Sequence, residues 1–239
     1  MTVCEVRGLR FNTRTLGNGP TVVMLHGLIT GSLATWYFTI APRLSETHTT
    51  FLLDLRGHGR SEVAPSGYGA ESMALDVAEL TAGLDPFSIV AHSYGCVVAA
   101  RFAAANPSRV RALALVEPPF GFDIADLDVD AVTTPGPDLT ARQAARLRNL
   151  VTATTILADV AAEPGLTSEE IEALPRDLLV VFGASSPCRV GEQLVATARP
   201  DARIEIIEGD HDLHLTASRE LGTLVGSFLT DPQRIGATS

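Results

Sequence analysis

The segment SIVAHSYGCVVAA, residues 88–100, places a serine where it could act as a nucleophile. An apolar strand-like stretch runs into Ser93, and a helix-like stretch follows it directly. A serine on such a sharp turn needs small residues two positions before and after it, because the backbone there is strained. Ala91 and Gly95 meet this need. The Ser93 oxygen would then emerge beside a helix N-terminus that favours developing negative charge, as attack on a carbonyl requires. The alternative interpretation of so short a motif is a serine that merely caps the helix.

Histidines follow other apolar stretches and could serve as the base that nucleophilic attack needs. His211 comes directly after the predicted strand 203–207 and is the main candidate. His214 is a weaker one, because it falls at the start of a predicted helix. We expect His92 to point away from the site and to pack. His58, in the loop DLRGHGRS after a further strand, is expected to be a structural turn residue.

Short apolar runs alternate with helix-like stretches along the chain. Continuous Val, Ile and Leu runs separated by helices are typical of parallel strands covered on both faces. The sequence therefore predicts an α/β fold with a mostly parallel central sheet. The predicted strands are 21–25, 50–54, 87–91, 111–116, 178–182 and 203–207, and the predicted helices are 33–44, 71–84, 94–105, 139–161, a short one capped by Ser168, and 217–229.

The order of these motifs resembles the α/β-hydrolase superfamily, in its serine hydrolase branch. The motifs are His-Gly after the first predicted strand, Asp-x-Arg-Gly-His-Gly-x-Ser after the second, small-x-Ser-x-Gly, and finally Gly-x-His. The likeness extends from about Gly17 to Leu229, and only the insertion 118–177 lacks a recognisable motif. It implies an α/β-hydrolase core over residues 1–117 and 178–239. The insertion 118–177 is expected to form a small helical lid, since long insertions on compact sheets are usually functional.

Carried onto this sequence, the resemblance implies that Ser93 is the nucleophile and His211 the general base. The backbone N–H groups of Leu28 and Tyr94 would form the oxyanion hole. Nothing in the sequence suggests a metal ion, nucleotide or flavin, so no cofactor and no metal site are expected.

The sequence departs from the family pattern at the catalytic acid. The turn after strand 178–182 reads Gly-Ala-Ser-Ser, so Ser186 stands where the resemblance implies Asp. One interpretation moves the acid to Glu117 at the end of strand 111–116, as in certain haloalkane dehalogenases of the superfamily. In a second, Ser186 or a water supports a weakened Ser–His dyad. In a third, the hydrolytic function is altered or lost.

A serine nucleophile predicts acyl chemistry, that is, hydrolysis of a carboxylic ester or thioester through an acyl-enzyme. A lyase or cyclase of a biosynthetic pathway is the alternative, because such reactions demand less of the base. A non-catalytic ligand-binding protein with the same fold is a further alternative. Residues Pro119, Phe120, Phe122, Leu147, Leu150 and Ile156 could line the pocket or form the core of the lid.

The amino-acid composition of the chain limits which partners it is expected to bind. The chain has 239 residues, 18 Lys plus Arg against 28 Asp plus Glu, and a net charge of -10, so nucleic acid is not expected to bind. No apolar run approaches the ~20 residues of a membrane span. Three widely spaced cysteines and the lack of a signal-peptide pattern favour free thiols and a cytoplasmic location. The expected partner is a small acyl substrate, and the sequence predicts no oligomeric state.

Overall fold

A computed structural model describes residues 2–121 and 140–230. Its centre is an eight-stranded sheet in the order β1-β2-β4-β3-β5-β6-β7-β8. The strands from β3 onward pair in parallel, and β1 and β2 add an antiparallel edge, so the expected mostly parallel sheet is confirmed. The strands are β1 Thr2–Val6, β2 Leu9–Leu16, β3 Thr21–Leu25, β4 Thr49–Leu53, β5 Phe87–His92, β6 Val110–Val116, β7 Leu178–Gly183 and β8 Arg203–Ile207.

Helices cover both faces of this sheet. In chain order they are α1 Leu33–Tyr37, α2 Ala41–Leu44, α3 Ala70–Leu80, α4 Tyr94–Ala105, α5 Ala141–Ala153, α6 Ile156–Ala161, α7 Ser168–Glu172, α8 Glu192–Ala198, α9 Leu213–Thr216 and α10 Ser218–Thr230, with short 3₁₀ turns at Pro107–Arg109 and Pro187–Gly191. Strand β5 lies in the middle of the sheet and separates the two cores. Ile89 and Ala91 face the core that contains α3 and α4, whereas Val90 faces the core that contains α1, α2 and α10.

Four predicted helices differ from the structure. The predicted helix 71–84 already ends at Leu80. The predicted helix 33–44 is two helices, because Phe38 to Ile40 break it before Pro42. The predicted helix 139–161 is interrupted after Ala153, where the β-branched Thr154 has extended backbone. Ser168 was expected to cap a helix, but the cap is Thr167, whose hydroxyl accepts from Glu170 N while the Glu170 side chain accepts from Thr167 N. This reciprocal pair satisfies two backbone donors that the helix itself cannot.

The N-terminal hairpin of β1 and β2 was not predicted. Strand β2 reads LRFNTRTL and buries polar side chains, including Asn12 and Thr13, among its interior positions. The apolar alternation of a half-buried strand is therefore missing from the sequence. Asn12 is buried because its amide donates to the Asp54 carboxylate at 2.6 Å.

The described part of the insertion packs onto the rest of the molecule. Leu147, Leu150 and Ile156 are buried in the same core cluster as α3 and α4. The carboxylate of Asp159 accepts from Gly67 N at 2.9 Å and from Tyr68 N at 2.8 Å. These three apolar side chains were expected to line the pocket or to form the core of the lid, and they pack in the core that contains α3 and α4. Phe122 lies outside the described residues. The division of the chain into core and lid stays a prediction.

Parallel pairing brings the carboxyl ends of β3, β5, β6, β7 and β8 to one edge of the sheet. In open α/β sheets, sites are built from the loops at this edge. No helix within residues 2–121 and 140–230 has the length and apolar character needed to cross a bilayer.

Candidate active site

Ser93 occupies the strained turn that its sequence context predicts. It lies between the end of β5 and the first residue of α4, with a φ of 52°, which is unusual for a residue other than glycine. Gly95 is required because α4 lies directly against the end of β3. A Cβ on Gly95 would lie 2.6 Å from the carbonyl oxygen of His26, closer than real Cβ contacts allow. The turn leaves the Ser93 side chain half-buried at the sheet edge.

His211 reaches Ser93 from the loop after β8. Its Nε2 lies 3.0 Å from Ser93 Oγ. The backbone of this loop is tied to the serine turn, because His92 Nε2 donates to the carbonyl oxygen of His211 at 2.9 Å. His92 was expected to point away from the site and to pack. It is buried, but its ring centroid lies 4.8 Å from that of His211, and its hydrogen bond connects the two loops that carry the serine and the histidine.

Glu117 reaches the other nitrogen of the same ring. Its Oε2 lies 3.3 Å from His211 Nδ1, and its side chain is fully buried. The residue follows β6 directly and has a φ of 58°, so the backbone turns sharply there. Because Nδ1 faces a carboxylate, it carries a proton, and Nε2 is left to accept the proton of Ser93. The distances thus bring Ser93, His211 and Glu117 into one chain of contacts.

Ser186 contacts the acid rather than the base. Its hydroxyl donates to Glu117 Oε2, and the backbone N–H of Gly183 donates to Glu117 Oε1. The Ser186 oxygen also accepts from Cys188 N at 3.1 Å, which fixes its orientation. The turn that would hold an Asp in the family pattern therefore holds the donors that orient a carboxylate from the neighbouring strand. Sequence reasoning identified the position but not this hydrogen bond.

The backbone before Leu28 and the helix start at Tyr94 both lie beside Ser93. A Cβ on Gly27 would lie 3.0 Å from Ser93 Cβ and 3.5 Å from Ser93 Oγ, so the segment before Leu28 touches the serine. Tyr94 is the first residue of α4, and N–H groups in a first helical turn have no partner within the helix. The role of both N–H groups stays a prediction.

Two buried histidines hold this segment in place. His26 Nε2 accepts from Leu55 N at 3.0 Å while its Nδ1 contacts the carbonyl oxygen of Gly27 at 2.7 Å. His58 Nε2 accepts from Ile29 N at 3.0 Å, and its Nδ1 lies 2.8 Å from a backbone carbonyl oxygen. Burial lowers the pKa of His26 to about 4 and that of His58 to about 3, so both rings are neutral. The motif histidines at 26 and 58 therefore support backbone and do not reach Ser93.

A buried carboxylate completes the support. Asp54 accepts from Leu33 N at 2.6 Å, which fixes the start of α1, and from Arg60 N at 2.8 Å. Gly59 must be glycine because a Cβ there would lie 2.1 Å from Asp54 Oδ1. The motif DLRGHGRS is thus a set of residues that join three loops at the sheet edge.

This fold, with its serine turn and its loop after β8, can be compared with known proteins. A family model described as the alpha/beta hydrolase fold matches residues 20–165, more than half of the chain. The chain belongs to the α/β-hydrolase fold family. The expected superfamily is therefore confirmed.

Individual relatives of this α/β-hydrolase-fold chain match over less than half of its length. The chain is 38% identical over 117 residues to the dihydrolipoyllysine-residue acetyltransferase component of the acetoin cleaving system of Cupriavidus necator, which covers 48% of this chain and 31% of that protein. It is 37% identical over 106 residues to N-formylmaleamate deformylase of Pseudomonas putida, covering 43% of this chain and 39% of that enzyme. The matched segments thus span less than half the length of these relatives.

A solved structure extends the likeness to the whole fold. The enol-lactonase from Burkholderia xenovorans LB400 superposes with a TM-score of 0.77, at 21% identity, over 96% of this chain and 100% of that enzyme. At this identity the comparison establishes the shared fold.

The neighbours of His211, the candidate general base of this α/β-hydrolase-fold chain, shift the pKa of its ring. Burial would lower the pKa of His211, but hydrogen bonds to Cys188 and Glu117 outweigh it and raise that pKa from 6.5 to about 10. The Cys188 sulfur lies 3.5 Å from His211 Nδ1. Sequence reasoning treated Cys188 only as a free thiol, because its approach to the ring depends on the turn after β7.

Next to the serine turn lies a cavity of about 280 Å³. Its walls combine apolar side chains with a similar share of polar surface, and the Glu163 carboxylate among them is paired with Arg101 Nε at 3.2 Å. Pro119 and Phe120 line this cavity; lining a pocket was one of the two expectations for them. The lining residues are Tyr94, Val97, Pro119, Phe120, Gly121, Val160, Ala161, Glu163, Pro164, Gly165 and Leu166.

Two groups of described side chains have the types and proximity to ligate a metal ion. One is Glu117, Cys188 and His211, and the other is His92, Asp212 and His214. In each group the ligand atoms lie within 4.8 Å of one another. The second group includes a buried nitrogen, His214 Nδ1, that has no hydrogen-bond partner among the described residues.

Proposed function

We propose that this chain is a serine hydrolase that cleaves a carboxylic ester or thioester of a small molecule through an acyl-enzyme on Ser93. The contact that supports this most directly is the 3.0 Å between Ser93 Oγ and His211 Nε2, with a buried carboxylate on the opposite ring nitrogen. A hydroxyl, an imidazole and a carboxylate in this order are the parts of a general-base-activated nucleophile.

The steps follow from the proton positions. His211 Nε2 takes the Ser93 proton as Oγ attacks the substrate carbonyl carbon. The oxygen that becomes negative would accept from the N–H groups of Leu28 and Tyr94, and one such donor contributes about 3 kcal/mol in the transition state. His211 then gives its proton to the departing alkoxide or thiolate. Water repeats the sequence on the acyl-enzyme and releases the acid.

Glu117 would act on the ring rather than on the substrate. Its charge stabilises the imidazolium that forms in each step, and its contact with Nδ1 selects the tautomer that leaves Nε2 able to accept a proton. Because one donor from the last residue of β7 and one from the turn after it hold the carboxylate, it meets the ring in one orientation. This supports the hypothesis that the acid has moved to Glu117 over that of a weakened dyad.

The cavity beside Tyr94 supports a small acyl group. About 280 Å³ of space, lined in part by apolar side chains and by the residue after the nucleophile, has the size for a short or branched acyl chain. One named relative is an N-formylmaleamate deformylase, and this agrees with the proposed reaction class.

The test is hydrolysis of short p-nitrophenyl esters and acyl thioesters by wild type and Ser93→Ala. We expect turnover by wild type and a fall in kcat on the order of 10⁴-fold or more for Ser93→Ala. A fluorophosphonate should add its mass to Ser93 in wild type alone, as measured by peptide mass spectrometry. Absence of both turnover and labelling would contradict the proposal, and a product isomeric with its substrate would favour the lyase or cyclase instead.

A further inference from the structure

The proposed reaction assigns no role to Cys188, whose sulfur lies close to His211. Cys188 is a free thiol in the 3₁₀ turn after β7, and only 3% of its surface is exposed. Its sulfur lies 3.5 Å from His211 Nδ1, on the same nitrogen that Glu117 Oε2 approaches to 3.3 Å. A thiol, an imidazole nitrogen and a carboxylate oxygen thus converge on one point, and all three atoms lie within 4.8 Å of one another.

These separations match the edges of a zinc coordination sphere. Zinc bonds of ~2.3 Å to sulfur and ~2.0–2.1 Å to nitrogen or oxygen, at tetrahedral angles, place S and N about 3.6 Å apart and N and O about 3.3 Å apart. The observed distances are 3.5 Å for Sγ to Nδ1 and 3.3 Å for Oε2 to Nδ1. Both ligand pairs that share Nδ1 are therefore already spaced for coordination.

Charge also favours a divalent cation at this point. A thiolate and a carboxylate buried together carry two negative charges, which a buried site tolerates only with compensation. A cation of charge +2 compensates both, and the neutral imidazole adds no charge. The hydrogen bonds from Ser186 Oγ and Gly183 N to Glu117 supply the outer contacts that orient a metal-bound carboxylate.

A fourth ligand position has a route to solvent. Glu117 and Cys188 are buried, but 35% of the His211 side chain is exposed. A cation could therefore enter along the exposed side of the ring, and a water molecule could complete the tetrahedron there.

We propose that Glu117, Cys188 and His211 form a binding site for a thiophilic divalent cation, for which zinc is the best fit, and that its binding stops hydrolysis. Coordination releases the thiol proton to solvent and displaces the proton of the neutral ring from Nδ1, which passes by way of solvent to Nε2. The ring then keeps a single proton, on Nε2. A protonated Nε2 cannot accept the Ser93 proton, so the base is lost without any change of fold. The inhibitory half of this inference rests on the proposed function, whereas the binding half does not.

Calorimetric titration of the purified, chelator-treated chain with zinc chloride tests the binding half. We expect one zinc ion per chain for wild type and the same affinity for Ser93→Ala, because the nucleophile is not a ligand. Cys188→Ala and the isosteric Cys188→Ser should each weaken binding by about 100-fold or more, since loss of even an outer-shell partner costs about 10–100-fold. Unchanged melting temperatures would show that both variants fold.

His214→Gln is the matched control for the second group of candidate ligands. Wild-type affinity in His214→Gln together with loss in both Cys188 variants supports the assignment. Wild-type affinity in the Cys188 variants, or loss of binding in His214→Gln alone, overturns it. Cobalt titration gives an independent readout, because a thiolate-to-cobalt absorption band in the near ultraviolet should appear in wild type and not in Cys188→Ala.

Ester hydrolysis tests the inhibitory half. Zinc should abolish wild-type turnover at the concentration that saturates the calorimetric site, and a chelator should restore it. Each Cys188 variant, normalised to its own zinc-free rate, should need about 100-fold more zinc, in step with its affinity. If zinc binds and hydrolysis continues, the inhibitory half is overturned. If wild type hydrolyses no ester while zinc still binds, the proposed function is overturned but the zinc site is not.

Discussion

The nucleophile side and the acid side of this site obey different constraints. On the nucleophile side, Gly95, Gly27 and Gly59 each lie so close to other atoms that a Cβ would collide or press on them. On the acid side, the carboxylate comes from Glu117 on one strand, and its hydrogen-bond donors come from the turn after the neighbouring strand. Residue type is fixed where a backbone lies directly against other atoms of the site, whereas a carboxylate needs only to reach Nδ1 of the histidine.

Removing the charge of Glu117 is expected to have the largest effect. Glu117→Gln keeps the size of the side chain but cannot stabilise an imidazolium, and comparable changes of a triad carboxylate lower kcat by about 10⁴-fold. Ester kinetics of the single variant measure this directly. The double variant Glu117→Gln with Ser186→Asp returns a carboxylate to the turn after β7 and should recover part of the loss. Wild-type kcat in Glu117→Gln would show that the acid is dispensable.

A methyl group on the nucleophile side should destabilise the fold. Gly95→Ala places a Cβ 2.6 Å from a backbone oxygen of β3, so α4 must shift, and overpacking of this kind costs about 1–3 kcal/mol in the free energy of unfolding. Gly83→Ala is the control, because a Cβ there meets nothing within 4 Å. Denaturant unfolding of both variants measures the difference. Equal stabilities would contradict the close approach of α4 and β3.

Loss of the Ser186 hydroxyl should have a moderate effect on rate. Ser186→Ala removes one donor from the Glu117 carboxylate and leaves the Gly183 N–H in place. A hydrogen bond to a charged group contributes about 1.5–3 kcal/mol, so kcat should fall by about tenfold or somewhat more. Ser185→Ala, in the same turn, loses only an exposed hydrogen bond to the Gly209 carbonyl oxygen and should keep its rate. A Ser186→Ala enzyme as fast as Ser185→Ala would remove Ser186 from the support of the acid.

The pH dependence of kcat/KM tests the acid side of the site, and here we expect the smallest change. Activity needs neutral His211, and contacts with Cys188 and Glu117 raise the pKa of that ring above its ordinary 6.5. The kcat/KM of wild type should therefore rise with pH, with its midpoint on the alkaline side of 6.5. In Glu117→Gln the midpoint of the residual activity should move to lower pH. A midpoint that the variant does not change would mean that Glu117 exerts no charge on the base.

The sequence predicted those parts of the fold that have a local cause. The strand-to-helix turn at Ser93 and the parallel core strands follow from small residues and apolar runs, and the structure has both. The prediction from sequence missed β2, whose buried Asn12 is stabilised by a partner 42 positions away in the chain. Long-range polar pairs leave no periodic signal, so no local pattern could have revealed this strand.

The same distinction applies to the site. Glu117 was a candidate because an apolar strand ends in a single carboxylate, a local feature. That Ser186 orients it, and that Cys188 lies against His211, depends on how the turn after β7 lies beside the end of β6. Only the relative position of the two strand ends brings these groups together.

The neutral histidines that contact the backbone on either side of Leu28 also determine how the folded chain responds to acid. An unfolded histidine takes up a proton near pH 6.5, but His26 and His58 resist protonation until about pH 4 and about pH 3 because they are buried. Between these limits the unfolded chain binds more protons than the folded one, so each fall in pH lowers the free energy of unfolding. Proton uptake by these rings would also release the N–H groups of Leu55 and Ile29. Acidification therefore draws the equilibrium toward the unfolded chain at the segment that touches the nucleophile.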